Sequence, residues 1–526
     1  LRNIEPEFED GIPPRMVVAS WSALEITDMK LLTIRSAMLV GTAGFGRPIR
    51  ALCHPTAALL RVAVGASLLP AAAFAKPGLT TIWTFTGGQD GSYPLLSTLI
   101  PGPGGSLYGT TEGGTTGYGT AFQLVPPAPG ATAWTLSLLH SFSGGADGGR
   151  PHAMIVDREG NLYGEGELGG DPHCHLAAGF KGCGMIYELS PPAAGGVAWT
   201  EKVLYNFEGA EGAYPQTGLV RDRQGNLFGT AVQTKACFPK GCGVVFELSP
   251  PASGQSNWTE RTLYTFTRET DGRVPDGRLV LDNFGALYGV TNSGGIQSRP
   301  NCGTYDQCGY GLVYKLTPPA QAGDAWTKTT LWSFSGHDGS YPSTDLTLDR
   351  DGNVFGMTEY GGRAAPCPYK PKQYAGCGTV FELSPPSRGQ IGWKLSTPWK
   401  FTGTSDGRYP FGAGLVPYRG FYLTTVSGDE VHDFGGVELF KPSVSTAPPT
   451  CPPNPGPDYL CPQTYTSPDA GHWREQTLFK FTNNADGENP GSSLLERDGI
   501  FYGETTGLQG TQNGPASYGT VFSFTP

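Results

Sequence analysis

A tryptophan and a phenylalanine stand eight residues apart six times in this chain: Trp134/Phe142, Trp199/Phe207, Trp258/Phe266, Trp326/Phe334, Trp393/Phe401 and Trp473/Phe481. Equal spacings between loops of unequal length mean one strand of fixed length, copied. Other blocks recur with it. Leu107-Tyr108-Gly109-Thr110 returns as Leu162-Tyr163-Gly164, Leu227-Phe228-Gly229-Thr230, Leu287-Tyr288-Gly289, Val354-Phe355-Gly356, Phe421-Tyr422 and Phe501-Tyr502-Gly503, seven copies 55 to 80 residues apart. A block such as Gly243-Val244-Val245-Phe246-Glu247-Leu248 follows each, and Asp-Gly-x-x-Pro comes after the Trp-to-Phe strand, with Glu211 once replacing Asp.

Each unit reads as four short strands rich in β-branched and aromatic residues, bounded by Gly, Pro, Asn and Asp. Turns such as Asp222-Arg223-Gln224-Gly225-Asn226 join the first two strands. A four-stranded antiparallel meander repeated seven times predicts an all-β fold, a seven-bladed β-propeller. The last unit stops after its third strand, at Gly519 to Phe524, while Thr81-Ile82-Trp83-Thr84-Phe85 matches a fourth strand. Pairing of these N- and C-terminal strands is expected to close the ring. The blades are expected at about 95–142, 151–207, 216–266, 276–334, 343–401, 411–481, and 491–526 joined by 81–85.

The chain has 526 residues with 78 Gly and 46 Pro, close to a disordered composition, but 38% are hydrophobic and 11% aromatic. Aromatic burial on that scale offsets chain entropy once Gly and Pro sit in turns. The net charge of −10, with no basic block, argues against a nucleic-acid partner.

Arg47, Arg50 and Arg61 precede an apolar stretch, Val62 to Ala75, that ends in Ala73-Phe74-Ala75. A basic flank, a short apolar run and small residues before a cut describe a secretory signal peptide over 38–75, with Lys76 as the mature N-terminus. The run is too short to span a bilayer, so no membrane span is expected after cleavage. Residues 1–37 read as an upstream segment, with Met38 or Met29 as the start. Ten further cysteines fall into five local pairs: Cys174/Cys183, Cys237/Cys242, Cys302/Cys308, Cys367/Cys377 and Cys451/Cys461. Disulfides are expected there and agree with an oxidising compartment. His173, Cys174, His175 and Cys183 could instead hold a metal, but the other pairs lack comparable histidines.

The repeated Asp-x-x-Gly-Asn-Leu-Tyr-Gly, Gly-x-Val-Phe-Glu-Leu and Leu-Tyr-x-Phe followed by Asp-Gly-x-x-Pro resemble the GloVer tandem repeat of bacterial exported proteins, over residues 81–526. The resemblance implies an exported or surface-displayed propeller whose biochemical activity the family does not define. Relatives often carry a C-terminal sorting or anchor segment. This sequence ends at Pro526 directly after a strand, so secretion or periplasmic residence is the expectation.

In such a meander the second-to-third loops and the blade-to-blade loops emerge on one face. That face holds the cysteine loops, Cys451/Cys461 excepted, and the Asp-Gly-x-x-Pro loops, and is the candidate binding face. It carries a ring of Asp90, Asp147, Glu211, Asp271, Asp338, Asp406 and Asp486, beside Tyr93, Tyr214, Tyr341 and Tyr409. The ring could hold Ca²⁺ or hydrogen-bond sugar hydroxyls; alternatively each carboxylate shapes its own turn, which repetition in every copy favours. No other cofactor is expected. Gly403-Thr404-Ser405-Asp406-Gly407 fits a nucleophile elbow but lies in a blade-to-blade loop, and sister copies lack the serine. Gly164 to Gly169 fits a dinucleotide fingerprint but leads to Asp171-Pro172 rather than a helix. Asp349-Arg350-Asp351-Gly352-Asn353 resembles the start of a calcium loop but has its glycine in the wrong place, so a hairpin turn is expected.

Three functions remain open at this point: a non-catalytic binding module for a carbohydrate or a surface protein, a polysaccharide hydrolase or lyase with carboxylates at the channel mouth, and a structural extracellular component. A pocket with two close, non-repeated carboxylates would favour the enzyme.

Overall fold

The computed structural model of the chain describes residues 78–94, 98–174, 176, 181–193, 196, 198–235, 242–267, 269–296, 309–321, 323–362, 367, 376–403, 406–428, 434–442, 473–482, 486–507 and 518–526. Its strands form seven antiparallel sheets, one per sequence unit, arranged as a seven-bladed propeller. In the third blade the innermost strand is split into Ala213–Pro215 and Val220–Arg221, and both segments pair with the second strand, Leu227–Gln233. Val244–Ser249 and Thr259–Thr265 complete the sheet outward. The ring closes as expected: Gly78–Thr84 pairs antiparallel with Thr520–Thr525, so the last blade takes three strands from one end of the propeller and one from the other.

The turn motif works through its first side chain. Asp222 Oδ1 accepts the amides of Gln224 (2.9 Å) and Asn226 (2.8 Å), and Oδ2 accepts the Asn226 side-chain amide (2.8 Å). Gly225 then takes φ of 93°, a left-handed conformation that costs glycine nothing. Asp349 makes the same three bonds, to Asp351, Asn353 and the Asn353 side chain, so its loop is the expected hairpin turn.

The eight-residue spacing has a packing cause. The phenylalanine closing each fourth strand meets an aromatic ring on the third strand of the next blade. The pairs are Phe85–Phe122, Phe142–Tyr187, Phe207–Phe246, Phe266–Tyr314, Phe334–Phe381, Phe401–Phe440 and Phe481–Phe522, with centroids 5.0–6.0 Å apart. The tryptophan opening that strand reaches the opposite way, to the second strand of the preceding blade, as in Trp199–Tyr108, Trp258–Tyr163 and Trp326–Phe228. One strand thus ties its blade to both neighbours. Each such ring pair adds roughly 0.5–1.5 kcal/mol beyond its buried area.

Leu-Tyr-Gly has a complementary role. The glycine stands opposite that third-strand ring in register: Gly109 faces Phe122, Gly229 faces Phe246, Gly356 faces Phe381 and Gly503 faces Phe522. A Cβ at Gly356 would lie 2.5 Å from the Phe381 ring. The sixth blade departs from this, and the pairing corrects the sequence alignment there by one residue. Thr424 faces Glu438 in the glycine-to-ring position, so Tyr422-Leu423-Thr424, not Phe421-Tyr422 with the next residue, occupies the motif column.

Glu438 is therefore a carboxyl where the other blades bury an aromatic ring, and it is itself buried. Burial pushes it up to about 10, with a hydrogen bond to Glu475 and that residue's charge adding to the rise. Between pH 4.5 and about 10 the fold holds a proton that the unfolded chain releases, so stability falls as pH rises across that window. Glu438→Gln is expected to match the parent near pH 4 and to exceed it by about 3 kcal/mol at pH 7, at about 1.4 kcal/mol per pH unit. Urea unfolding at the two pH values measures this; an equal difference at both would show that the carboxyl does not carry it.

Disulfides join Cys174 to Cys183 and Cys367 to Cys377, with Cα–Cα distances of 5.6 and 5.0 Å, each in a loop between second and third strands. Cys242 is buried, whereas Cys237, Cys302, Cys308, Cys451 and Cys461 lie outside the described residues, as does the expected signal peptide. Among the described residues no helix is long and apolar enough to cross a membrane.

Candidate functional site

The acidic ring foreseen from the sequence is spread over seven blade-to-blade loops, and each carboxylate is bonded within its own loop. Asp90, Asp406 and Asp486 accept the amides of Thr86 (2.9 Å), Thr402 (2.9 Å) and Thr482 (3.0 Å), together with those residues' hydroxyls. Asp147 does the same with Ser143. Glu211 accepts the Glu208 amide, Asp271 that of Thr267 and Asp338 that of Ser335. A second donor arrives from the fourth strand: the Tyr205 hydroxyl to Glu211 (3.2 Å), the Tyr264 hydroxyl to Asp271 (2.8 Å) and Trp332 Nε1 to Asp338 (2.9 Å). That column, two residues before the closing Phe, is the Tyr of Leu-Tyr-x-Phe, a motif whose spacing alone did not show this bond. Among the described residues no three His, Cys, Asp or Glu side chains gather as a metal-holding group.

The four tyrosines share a backbone peculiarity. Tyr93, Arg150, Tyr214, Val274, Tyr341, Tyr409 and Asn489, all at the residue before the proline of Asp-Gly-x-x-Pro, have φ between 47° and 59°. A left-handed residue other than glycine costs roughly 1–2 kcal/mol. The return is an amide aimed at the preceding blade: Tyr93 N donates to Tyr518 O, Tyr214 N to Cys183 O, Tyr341 N to Tyr310 O and Tyr409 N to Cys377 O, at 2.8–3.1 Å. Tyr214, Tyr341 and Tyr409 are buried and Tyr93 is half-buried.

The copies diverge near the ring axis. Residues just after the second-strand glycine reach across to the innermost strand of the next blade. Glu165 Oε2 accepts the Gly218 amide at 2.7 Å, and the Thr230 hydroxyl donates to Pro275 O at 3.3 Å. Arg278 Nε and Nη2 donate to Leu219 O at 2.9 and 2.6 Å, the Arg278 amide donates to Asp345 Oδ1 at 3.1 Å, and the Gly414 amide to Ser493 Oγ at 2.7 Å. All these side chains are buried, so polar groups join neighbouring blades at this level. Burial pushes Glu165 up to about 8, against the hydrogen bond from Gly218 and the Arg278 charge.

Two residues further along the second strand, toward the loop-bearing face, Glu167 meets Arg150 and His152, and its charge is felt at Glu112. Arg150 Nη1 lies 3.5 Å and His152 Nε2 3.8 Å from Glu167 Oε2. Glu167 keeps 19% of its side chain exposed and Arg150 39%, whereas His152 is fully enclosed. The His152 backbone is clamped from both sides, its amide donating to Glu165 O (3.0 Å) and its carbonyl accepting the Thr110 hydroxyl (3.2 Å). Neither ring nitrogen of His152 has a hydrogen-bond partner. Glu112 follows directly on Leu107–Thr111 of the first blade and is half-buried.

The two carboxyls are driven apart. Burial, then the charge of Glu167, pushes Glu112 up to about 8, with Arg150 opposing. Burial would also raise Glu167, but the neighbouring His152 and then Arg150 outweigh it and hold the group below the usual carboxylate range. One carboxyl therefore carries its proton at neutral pH while its neighbour is ionised. The Glu112/Glu167 column reads Val232 in the third blade, Asn292 in the fourth, Glu359 in the fifth, Ser427 in the sixth and Thr506 in the last, so a glutamate recurs there once more, but without an arginine and a histidine at the places of Arg150 and His152.

No curated protein matches the sequence. Among solved structures, the PQQ-bound form of aldose sugar dehydrogenase from Streptomyces coelicolor is similar at 10% identity and a TM-score of 0.39, over 71% of this chain and 93% of that one. A gluconolactonase from Xanthomonas campestris is similar at 13% identity and a TM-score of 0.31, over 70% and 86%. The PQQ domain of pyranose dehydrogenase from Coprinopsis cinerea is similar at 11% and 0.33, over 72% and 92%. None of their activities is carried over at such distances. Residues 73–305 match the Gloeobacter/Verrucomicrobia repeat. The same blocks continue beyond that span to the last blade and one sheet is formed per copy, so the match and the fold together are consistent with a Gloeobacter/Verrucomicrobia repeat propeller.

Proposed function

We propose that this propeller is an exported recognition module that binds a hydroxyl-rich ligand, a carbohydrate, where its first and second blades meet at the channel mouth. The observation that carries the reading is the break in symmetry. Scaffold residues recur in every blade, whereas Glu112, Arg150, His152 and Glu167 occur together once. An ionised carboxylate accepts two sugar hydroxyls, a half-exposed guanidinium donates to ring or hydroxyl oxygens, and a protonated carboxyl does both. The two disulfides support export.

The oxidised chain is to be incubated with soluble and insoluble polysaccharides, following protein depletion from solution and new reducing ends together. At least one glycan is expected to deplete the protein, and Glu167→Gln to weaken that binding about tenfold or more, the scale of one charged hydrogen bond. Depletion untouched by Glu167→Gln would move the site elsewhere. No depletion at all would leave a surface protein as the partner.

A further inference from the structure

We infer that the outer rim carries a binding groove for an uncharged polysaccharide chain, at the seam where the last blade meets the first. The groove is built from other residues than the channel mouth, so either site can stand without the other.

A groove of about 600 Å³ is lined by Thr80 to Thr84 of the last blade's outer strand and by Thr132 to Trp134, which lead into the outer strand of the first blade. Five successive residues line it, so it follows the strand for about 13 Å, the run of a chain rather than of one sugar. Trp83 and Trp134 are half-buried and pack on the cluster that holds Phe85 and Phe122, and Tyr502 meets Trp134 edge-to-face at 6.2 Å. Both indoles are thus fixed before a ligand arrives, which spares binding the cost of ordering them. An indole takes the C–H face of a sugar ring. Thr80, Thr84 and Thr132 are exposed, and their hydroxyls donate to and accept from sugar hydroxyls.

The rim breaks its symmetry at this place. The outer strands on either side of the seam, Gly78–Thr84 and Thr135–Ser141, contain no Asp, Glu, Lys or Arg. Each of the other five outer strands contains at least one, such as Lys202, Arg261, Lys328, Lys394 or Arg474. None of the residues lining the groove is charged. A uronic acid would find no cation there, whereas a neutral sugar is matched by hydroxyl and indole alone. An extended peptide, pairing along the open edge of Gly78–Thr84, is the competing occupant. The bulge between Thr81 and Trp83 breaks the flat ladder such a strand needs, so the glycan is favoured.

The test incubates the oxidised chain with cellulose, starch, xylan and mannan, and with alginate and pectin as anionic glycans, and follows depletion of protein from solution. At least one neutral glycan should deplete the parent. Thr80→Glu and Thr132→Arg, both at exposed positions, should weaken that binding about tenfold or more by setting a charge in the groove, with Tm unchanged. A soluble oligosaccharide of the same glycan should raise the Tm of the parent and not that of Thr132→Arg, since it binds only the folded ring. Full binding by both variants, or depletion by alginate and pectin alone, overturns the groove. Loss with Glu167→Gln but not with the groove variants leaves the channel mouth as the sole site and also overturns it, whereas the reverse leaves the groove and removes the channel mouth. No depletion at all overturns both. A dimer in size-exclusion chromatography that Thr80→Glu disperses would make the strand edge a pairing site for a second copy, and the groove reading falls.

Discussion

Deletion of residues 78–86 is expected to open the ring and leave no cooperative thermal transition above 37 °C. The closing strand Gly78–Thr84 pairs with Thr520–Thr525 at six positions and brings Phe85 against Phe122 of the first blade. Phe85 is buried, and Ile82 and Trp83 pack on the same cluster between the last and first blades. Losing one buried phenylalanine costs about 3–5 kcal/mol. Adding two large partly buried side chains brings the total to the order of the whole stability of a domain, roughly 5–15 kcal/mol. Deletion also bares the third strand of the last blade as an open edge, a site for association. Circular dichroism melting and size-exclusion chromatography of the deleted chain measure both effects, and a synthetic peptide of residues 78–86 added back should restore part of the transition. An unchanged melt would mean that the ring holds without its seam.

The second large effect is expected at Gly356. Alanine there places a Cβ 2.5 Å from the Phe381 ring and 2.9 Å from Leu346, both buried. The Phe381 ring cannot retreat, because it is the edge-to-face partner of Phe334 at 5.2 Å. Gly356→Ala should destabilise by about 3 kcal/mol, the upper range for overpacking a core. Phe381→Leu alone should cost about 1–2 kcal/mol as a cavity. Combined, the two should cost less than their sum by at least about 1 kcal/mol, since the cavity receives the new methyl. Chemical denaturation of the four proteins gives the coupling; strict additivity would show that the glycine is required for its backbone and not for the room it leaves.

This contact also explains how much could be read from the sequence. The propeller was legible because Trp, Phe, Gly and the Asp turns mark contacts made identically in every blade, so repetition exposes them without any knowledge of pairing. The sixth copy was misaligned by one residue because its marker contact is replaced: Thr424 and Glu438 stand where glycine and a ring stand elsewhere, and only the strand register reveals the column. The channel-mouth set was hidden for the opposite reason. Glu112 and Glu167 stand three residues after their glycines in a column that varies from copy to copy, and Arg150 occupies a place where four sister copies carry tyrosine. Nothing in the linear sequence brings Glu112 under the charge of Glu167, 55 residues away; the two influence each other because they stand on neighbouring blades.

The seam has a mechanical side. Gly78 and Thr525 are partners at the same end of one antiparallel ladder. Tension applied between these two residues would load the rungs one after another, as a zipper is opened, and the seam would yield at low force. Tension applied to one of them against a ligand held at the channel mouth would instead run along the strands and be shared by all rungs of the ladder at once. A propeller tethered by one end and gripping its target by that face would therefore sustain far more pull than the position of its seam suggests.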